Sequence, residues 1–142
     1  MKTLRQLLDE KGHEVVSIAA GDSVFDAIKL MAEKGIGALV VMDGLKLVGV
    51  VSERDYARKV ILQGRSSHTT SVREIMSAPV VCASPEHTVQ ECMALVTDKR
   101  IRHLPVLQGA ELVGMISIGD LVKSIIAEQQ FVIEQLENYI AG

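Results

Sequence analysis

The chain has 142 residues, a formal net charge of −3, 48% hydrophobic residues and 3% aromatic residues. This length can bury a sizeable aliphatic core, while the mixed charges leave no basic footprint for DNA or RNA. No stretch approaches the roughly 18 apolar residues of a membrane span, and the first residues lack the apolar run of a signal peptide. We therefore expect a soluble, cytoplasmic protein that binds neither nucleic acid nor a membrane.

Apolar spacing in the first half predicts the order helix, strand, helix, hairpin, helix. Gly12 and Gly35 are natural helix ends, Ser23 is a natural helix start, and Asp43-Gly44 is a hairpin turn. The helical segments repeat apolar residues three and four apart, whereas the strands are short and aliphatic. In chain order these predicted elements cover residues 3–11, 15–18, 24–34, 38–42, 47–51 and 53–62.

A polar, aperiodic segment over residues 65–71 predicts a linker, and the same order of elements follows it. The second half begins with a helical turn and a strand, continues with a helix opened by Ser84-Pro85-Glu86, and ends with a hairpin and a long helix. The helical turn is predicted at residues 72–76, and the strands at 80–82, 103–107 and 111–116.

Residues 15–60 align with residues 80–125 without a gap, and 14 of the 46 pairs are identical. Chance would leave only a few such matches, so the chain carries an internal duplication. Each half is too small to bury both faces of its sheet. We therefore expect the two halves to pack on each other about a pseudo-twofold axis.

A Ser-x-x-Asp step, in which a strand gives way to a helix, occurs once in each half. Ser52 and Asp55 form the first copy, and Ser117 and Asp120 form the second. Such a pair can simply cap a helix. It can also bind a nucleotide, because a carboxylate accepts hydrogen bonds from ribose hydroxyls and helix N-terminal amides bind phosphate. A glycine three residues before each serine favours close approach of a ligand or another backbone.

The cysteines and histidines give no support for a metal site. Cys82 and Cys92 lack the spacing of a redox or zinc motif, and the four histidines show no i, i+4 pairing with one another or with a cysteine. We interpret both cysteines as small buried hydrophobic side chains.

The duplicated β-α-β-β-α unit that ends in Gly-x-x-Ser-x-x-Asp resembles a tandem CBS-domain pair, or Bateman module, over residues 12–124. Segments 52–56, 63–67 and 100–106 look like those of stand-alone CBS-pair proteins of bacteria and plant organelles, some of which are thioredoxin modulators. The resemblance implies an α/β (α+β) fold of two pseudo-twofold-related repeats packed sheet to sheet, with a long C-terminal helix. The domains would be repeat 1 with the N-terminal helix (1–64), a linker (65–71), repeat 2 (72–124) and a helical extension (125–142).

The resemblance also implies two inter-repeat clefts for adenosine-containing ligands, each taking its Ser-x-x-Asp from one repeat and its base-contacting residues from the other. The first cleft would comprise Ser52, Arg54, Asp55, Val81, Ile101, Arg102 and His103. The second would comprise Ser117, Gly119, Asp120, Val16, Ile36, Gly37 and Ala38. The first has positive side chains for phosphate, so we expect a larger or more phosphorylated ligand such as a dinucleotide there. The second, without a fixed positive charge, would hold AMP or stay empty.

The last helix carries an apolar stripe beyond what one repeat requires, extending to about Tyr139. Since CBS pairs commonly form flat dimers, we expect a homodimer assisted by this stripe. Packing of the stripe back on Leu4, Leu7 and Leu8 is the alternative.

Three functions remain open on the sequence alone. The first is a regulatory module that senses AMP, NAD or ATP without a catalytic cofactor and signals by a change in shape or partner affinity. The second is an interaction protein with vestigial nucleotide sites, for example a modulator of a redox partner. The third is a nucleotide-processing enzyme, which we disfavour because no nucleophile with an adjacent base, P-loop or metal set is evident.

Overall fold

Residues 14–81 form a unit built around a three-stranded sheet. The computed structural model describes residues 1–141 and separates them into this first unit and a second unit of residues 1–13 and 82–141. Strand β1 (Ser17–Ala19) is parallel to β2 (Ala38–Asp43), which is antiparallel to β3 (Lys46–Ser52). The hairpin β2-β3 is the one predicted around Asp43-Gly44.

Helices flank this sheet, and their ends follow the predicted signals. The Ser23 hydroxyl accepts the Asp26 N–H at the start of the longest helix, which ends at Gly35 with φ +65°. A short helix after β3 continues as a π-helical turn. In chain order these elements are α2 (Val24–Lys34), α3 (Glu53–Tyr56), the π-helical turn (Ala57–Ile61) and α4 (Val72–Ile75). The core is aliphatic, as expected, and includes Val24, Met31, Leu39, Val41, Val51, Val60, Val72 and Ile75.

The second unit contains a two-stranded antiparallel sheet and three helices. Its buried apolar side chains include Leu4, Leu8, Val89, Val96, Leu104, Ile116 and Leu121. Its elements are α1 (Leu4–Lys11), α5 (Val89–Lys99), β4 (His103–Gln108), β5 (Glu111–Ser117) and α6 (Ile118–Ala141). The hairpin β4-β5 lies where the sequence predicts it.

The internal duplication extends to details of the backbone. The register of the first hairpin shifts between Val41 and Met42, and that of the second shifts between Val106 and Leu107, 65 positions later. The parallel pair Ile18 and Val41 has its counterpart in a single bridge between Ala83 and Val106. Each hairpin therefore has an irregular register at the same place, although no part of the sequence marks the irregularity.

The strand predicted at residues 80–82 does not form, and a proline explains why. In the first unit the Val40 N–H donates to the Val16 carbonyl over 3.3 Å. This bond continues the pairing with β2 to the residue before β1. The duplication places Pro105 at the position of Val40 and Val81 at that of Val16. Because proline has no N–H, this hydrogen bond cannot be made, and only the bridge at Ala83 remains of the predicted pairing.

Helix α5 begins four residues later than predicted from Ser84-Pro85-Glu86. Thr88 is its N-cap: the Thr88 hydroxyl accepts the Glu91 N–H over 3.1 Å, and the Glu91 carboxylate accepts the Thr88 N–H over 3.0 Å. This capping box outcompetes the earlier signal because it satisfies two backbone donors at once.

The N-terminal helix α1 packs in the second unit, whereas the sequence assigned it to the first repeat. Its Leu4 and Leu8 are buried, and the N–H of Leu4 donates to the His87 carbonyl over 2.8 Å. Thr3 bridges Thr88 at the start of α5, just as Ser71, before α4, bridges Ser23 at the start of α2. Helix α1 therefore serves the second unit in the way that α4 serves the first.

The glycine that precedes each Ser-x-x-Asp step leaves space for a neighbouring side chain. The neighbour of Gly49 is Met76, the residue after α4, and that of Gly114 is Leu8 of α1. A Cβ on Gly49 would lie 2.5 Å from the Met76 sulfur and 3.1 Å from the Ser77 carbonyl oxygen, and one on Gly114 would lie 2.5 Å from Leu8 Cδ2. The close approach predicted for these glycines thus comes from the protein's own packing, and they carry no argument for a ligand.

The later part of helix α6 has an exposed apolar surface. Leu121 and Ser124 are buried, but the apolar side chains from Ile126 onward are exposed, Ile133 by 47% and Ile140 by 83%. In the described chain this part of α6 therefore does not pack back on Leu4, Leu7 and Leu8. Among residues 1–141, no helix combines the length and the apolar character required to cross a bilayer.

Candidate functional site

The Ser52-x-x-Asp55 step holds its carboxylate on the backbone. Asp55 Oδ2 accepts the Ser52 N–H at 2.9 Å and the Ser52 hydroxyl at 3.0 Å, and the Asp55 N–H donates to Ser52 Oγ over 3.2 Å. The Asp55 side chain is 14% exposed, with Lys59 Nζ 3.3 Å from Oδ1. Lys59 also donates to the Ile75 carbonyl at the end of α4 over 2.9 Å. A partly buried carboxylate at this strand end is thus tied to two neighbouring elements.

The Ser117-x-x-Asp120 step repeats this geometry in the second unit. Asp120 Oδ2 accepts the Ser117 N–H at 2.8 Å, and the Asp120 N–H donates to Ser117 Oγ over 3.1 Å. Lys11, the last residue of α1, places its Nζ 2.6 Å from Asp120 Oδ2 and donates to the Met115 carbonyl over 2.6 Å. The lack of fixed positive charge expected at this step is therefore wrong: α1 supplies one.

The charge at Asp120 is stabilised by its neighbours. Burial acts to raise the pKa of this carboxyl, but the hydrogen bonds from Lys11 and the Ser117 N–H outweigh it, and the pKa is lowered from its ordinary value of 3.8. Asp120 is therefore ionised throughout the neutral range and can accept hydrogen bonds from a diol.

Within each unit, the start of the hairpin lies directly beside the step. Ala38 pairs with Ser52 and His103 pairs with Ser117. The N–H that follows each serine donates to the preceding strand: Glu53 to the Gly37 carbonyl over 3.0 Å, and Ile118 to the Arg102 carbonyl over 2.8 Å. The predicted base-contacting segments, 36–38 and 101–103, are thus held at fixed positions relative to the serine of their own unit.

The remaining predicted residues lie at the surface or are half-buried. Arg54, Arg102 and Gly119 are exposed. The others are half-buried: His103 is the first residue of β4, and the four outside the strands are Val16, Ile36, Val81 and Ile101. Val81 is the last residue of the first unit. The predicted clefts combine residues of both units, and that combination stays a prediction.

A cleft of about 400 Å³ lies within the first unit between α2 and α3. Ile28 and Met31 line it from α2, and Glu53 and Tyr56 line it from α3. Gly37 forms part of its wall, where a Cβ would lie 3.2 Å from Glu53 Oε1. The space is mostly apolar with one carboxylate at its edge.

The sequence interpretation missed the two lysines. Lys59 follows Asp55 by one helical turn, a spacing that places side chains on one face, so the pair could have been found from the sequence. Lys11 is 109 residues from Asp120, and no local pattern joins them. Within residues 1–141, no group of three or more His, Cys, Asp or Glu side chains is arranged to hold a metal ion.

Comparison with known proteins identifies the duplication. Residues 11–61 and 72–127 each match the family model of the CBS domain. The mitochondrial CBS domain-containing protein CBSX3 of Arabidopsis thaliana is 43% identical over 126 residues, which are 85% of this chain and 61% of that protein. The CBS domain-containing protein YhcV of Bacillus subtilis is 29% identical over 129 residues, 91% of this chain and 84% of that one. The chain thus spans less than two-thirds of the Arabidopsis relative.

Solved structures show the same fold. A protein with CBS domains from Burkholderia ambifaria matches with a TM-score of 0.86 and 56% identity, over 90% of this chain and 96% of that one. The hexameric CBS-CP12 protein from bloom-forming cyanobacteria matches with a TM-score of 0.78 and 35% identity, over 86% of this chain and 70% of that one. Small sheets with flanking helices and a long C-terminal helix confirm the predicted α+β class.

Proposed function

Because this chain belongs to the CBS domain family, as its sequence predicted, we propose that it is a regulatory module that binds adenine nucleotides of the AMP, ATP or NAD type at Asp55 and Asp120. Occupancy would change the shape of the module or its affinity for a partner, since a ligand shifts an equilibrium only when it binds two states differently. The first cleft, with Arg54 and Arg102, would favour the more phosphorylated or larger ligand.

One observation carries this proposal: both steps place an aspartate in the same partly buried geometry. The capping boxes of α1, α4 and α5 use the longer Gln6, Glu74 and Glu91 for the same purpose. The reciprocal capping boxes outside the two steps therefore use Glu or Gln, and the aspartate shared by the steps supports a second use. A carboxylate held on a serine N–H is oriented in advance for the two hydroxyls of a ribose.

Calorimetric titration with AMP, ATP and NAD tests the proposal. Asp55→Asn and Asp120→Asn keep an oxygen for the capping bond but lose the charge, and each is expected to abolish one binding event. Asp26→Asn is the matched control, because Asp26 is also the third residue after a serine N-cap and is exposed. Parent-like binding of every ligand by both step variants would overturn the proposal. Mass spectrometry of small molecules released on denaturation identifies a co-purifying ligand.

The alternatives give different results. An interaction protein with vestigial sites would show no rise in Tm with any of these nucleotides, whereas a ligand that binds the folded state must raise it. A nucleotide-processing enzyme would convert ATP or NAD during prolonged incubation, which chromatography would detect. The proposed module raises Tm and leaves both nucleotides intact.

The exposed face of α6 is assigned to contacts with a second copy of the chain. Exposed apolar side chains three, four or seven residues apart form a stripe along one side of the helix. They are Val122, Ile126, Ile133, Leu136 and Ile140. The hexameric state named for the cyanobacterial relative agrees with self-association in this family. These spacings are those of a coiled coil, so the α6 helix of a second copy is the partner that matches this face.

Light scattering after size-exclusion chromatography tests this homodimer. Replacement of both Ile133 and Leu136 by Glu is expected to give a monomer, because charges would be buried in the interface. The control replaces Gln135 by Glu and Asn138 by Asp, which adds the same charge at exposed positions outside the stripe. A dimer that persists in the first variant would exclude this face as the interface.

A further inference from the structure

In each unit a lysine contacts the carboxylate of the Ser-x-x-Asp step, but the two lysines come from unrelated positions. Lys11 reaches Asp120 from the end of α1, and Lys59 reaches Asp55 from one turn further along its own helix. The duplication places Ser124 opposite Lys59, so copying of one half does not account for both pairs. The lysine–aspartate contact thus comes from a different part of the chain in each unit, which suggests that the two lysines affect ligand binding differently.

The lysines contact different oxygens of their carboxylates. In Asp120 the ammonium of Lys11 and the N–H of Ser117 both lie on Oδ2. In Asp55 the two donors of Ser52 lie on Oδ2, and Lys59 lies on Oδ1. A carboxylate offers about four lone-pair positions, two on each oxygen. Oδ2 is therefore fully used in both residues, and Oδ1 is the oxygen for a ligand.

Building on the proposed function, we propose that Lys11 is a positioning residue for Asp120 and that Lys59 is a specificity-determining residue at Asp55. A ribose whose two hydroxyls both donate hydrogen bonds to Asp120 Oδ1 leaves Lys11 in place. A ribose that does the same at Asp55 displaces Lys59, because the ammonium lies 3.3 Å from Oδ1 and occupies the space beside it.

The surroundings of each lysine fit these roles. Lys11 is held by two contacts of 2.6 Å, to Asp120 and to the Met115 carbonyl. It fixes the Asp120 carboxylate through Oδ2 and leaves Oδ1 for the ligand. Lys59 also donates to a carbonyl, that of Ile75, over 2.9 Å, but its contact with Asp55 is longer, at 3.3 Å. Its side chain is 46% exposed, against 36% for Lys11. Once displaced, the Lys59 ammonium can pair with a ligand phosphate, which gives a charge-assisted hydrogen bond in exchange for the ion pair it loses.

The two steps should therefore respond differently to the phosphate content of a ligand. At Asp55, adenosine must displace Lys59 without compensation, while ATP supplies phosphates for the displaced ammonium. At Asp120, the contribution of Lys11 acts through the ribose contact, so it is the same for adenosine and ATP. Substitution of Lys59 is thus expected to have opposite effects on the two ligands, whereas substitution of Lys11 is not.

Calorimetry with adenosine and ATP, one step at a time, tests this inference. In an Asp120→Asn background, Lys59→Met should tighten adenosine binding and weaken ATP binding, each by about threefold, the size expected for a partly exposed ion pair. In an Asp55→Asn background, Lys11→Met should weaken both ligands by a similar factor, and Lys11→Arg should restore them. Lys2→Met, which removes the exposed Lys2–Glu10 pair of the same helix, is the control and should change neither.

A second readout separates positioning from loss of structure. Lys11→Met should raise the pKa of Asp120, measured by NMR of the side-chain carboxyl, while circular dichroism confirms the fold. If Lys59→Met shifts adenosine and ATP in the same direction, or Lys11→Met changes neither affinity nor this pKa, the inference is overturned. If the two single-step backgrounds bind neither ligand before any lysine is changed, the proposed function itself fails.

Discussion

Leu8 occupies the space that a side chain on Gly114 would need, with its Cδ2 atom 2.5 Å from the Cβ position of that glycine. Leu8 is 1% exposed, so its side chain has little room to move. Gly114→Ala is therefore expected to lower the free energy of unfolding by about 1–3 kcal/mol, the usual cost of overpacking. In a Leu8→Ala background the same substitution should cost less than half as much, because the obstructing methyl groups are gone. Urea unfolding measures both values.

Gly21→Ala is the control for this prediction, since nothing lies within 4 Å of a Cβ there. Its effect should stay within about 0.5 kcal/mol. If Gly114→Ala lowers the free energy of unfolding equally with and without the Leu8 side chain, contact with Leu8 is not the reason that position 114 requires glycine.

Thr88 should contribute more to helix α5 than Ser84 does. Thr88→Ala removes the hydroxyl that accepts the Glu91 N–H and is expected to cost about 0.5–2 kcal/mol of stability. Ser84→Ala leaves this capping box intact and should cost less than about 0.5 kcal/mol. Chemical denaturation of both variants decides between the two helix starts, and a larger loss for Ser84→Ala would favour the earlier one.

His13 should titrate above its ordinary pKa of 6.5. The hydrogen bond from Nε2 to Asp9, 2.9 Å long, is the main cause, and the contact of Nδ1 with the Val113 carbonyl adds to it. Both contacts favour the imidazolium, which donates from both nitrogens. NMR titration of the imidazole should give a pKa above 6.5 in the parent and a lower one in Asp9→Asn.

The sign of the pH dependence follows from this raised pKa. The stabilisation from the His13 contacts is fully present below about pH 6.5, the pKa of the unfolded chain, and is lost as the pH rises through the folded value. The stability difference between the parent and Asp9→Asn should therefore shrink between acidic and mildly alkaline pH. A difference that is constant with pH would contradict this assignment.

Cys92 should resist thiol reagents in the folded protein. Burial, with a smaller effect of Glu91, raises the pKa of the Cys92 thiol to about 11, and its side chain is 1% exposed. At pH 8 about one thiol in a thousand is then ionised. Ellman's reagent should modify Cys82 first, so Cys82→Ser should lose the fast phase and Cys92→Ser should keep it. Rapid modification of the Cys82→Ser variant would contradict the buried position of Cys92.

Local signals predicted much of the fold. Both hairpins, the helix end at Gly35 and the serine start at Ser23 depend on residues next to one another. The duplication repeats the turn glycine Gly44 as Gly109. The absent strand at residues 80–82 was also readable, because Pro105 removes the donor that the first half uses. The number of identical residues does not reveal this, because one difference, Val40 against Pro105, removes a hydrogen-bond donor.

The partners of the two aspartates illustrate what local signals do not reach. Lys59 was within the periodicity of a helix, but the pairing of Lys11 with Asp120 depends on α1 packing in the second unit. That packing is decided by burial of Leu4 and Leu8 and by the bridge from Thr3 to Thr88. These contacts join the first residues to a segment more than 80 positions later, beyond any sequence window.

The placement of α1 has a consequence for the order in which the protein folds during synthesis. The first unit is continuous in the chain, so it can fold as soon as residue 81 has left the ribosome. Helix α1 emerges before the first unit, yet its packing partners emerge after that unit. An isolated helix of eight residues is marginal in water, so α1 should stay unstructured until the second half is complete. A helix translated before the first unit is thus expected to become ordered only after that unit has folded.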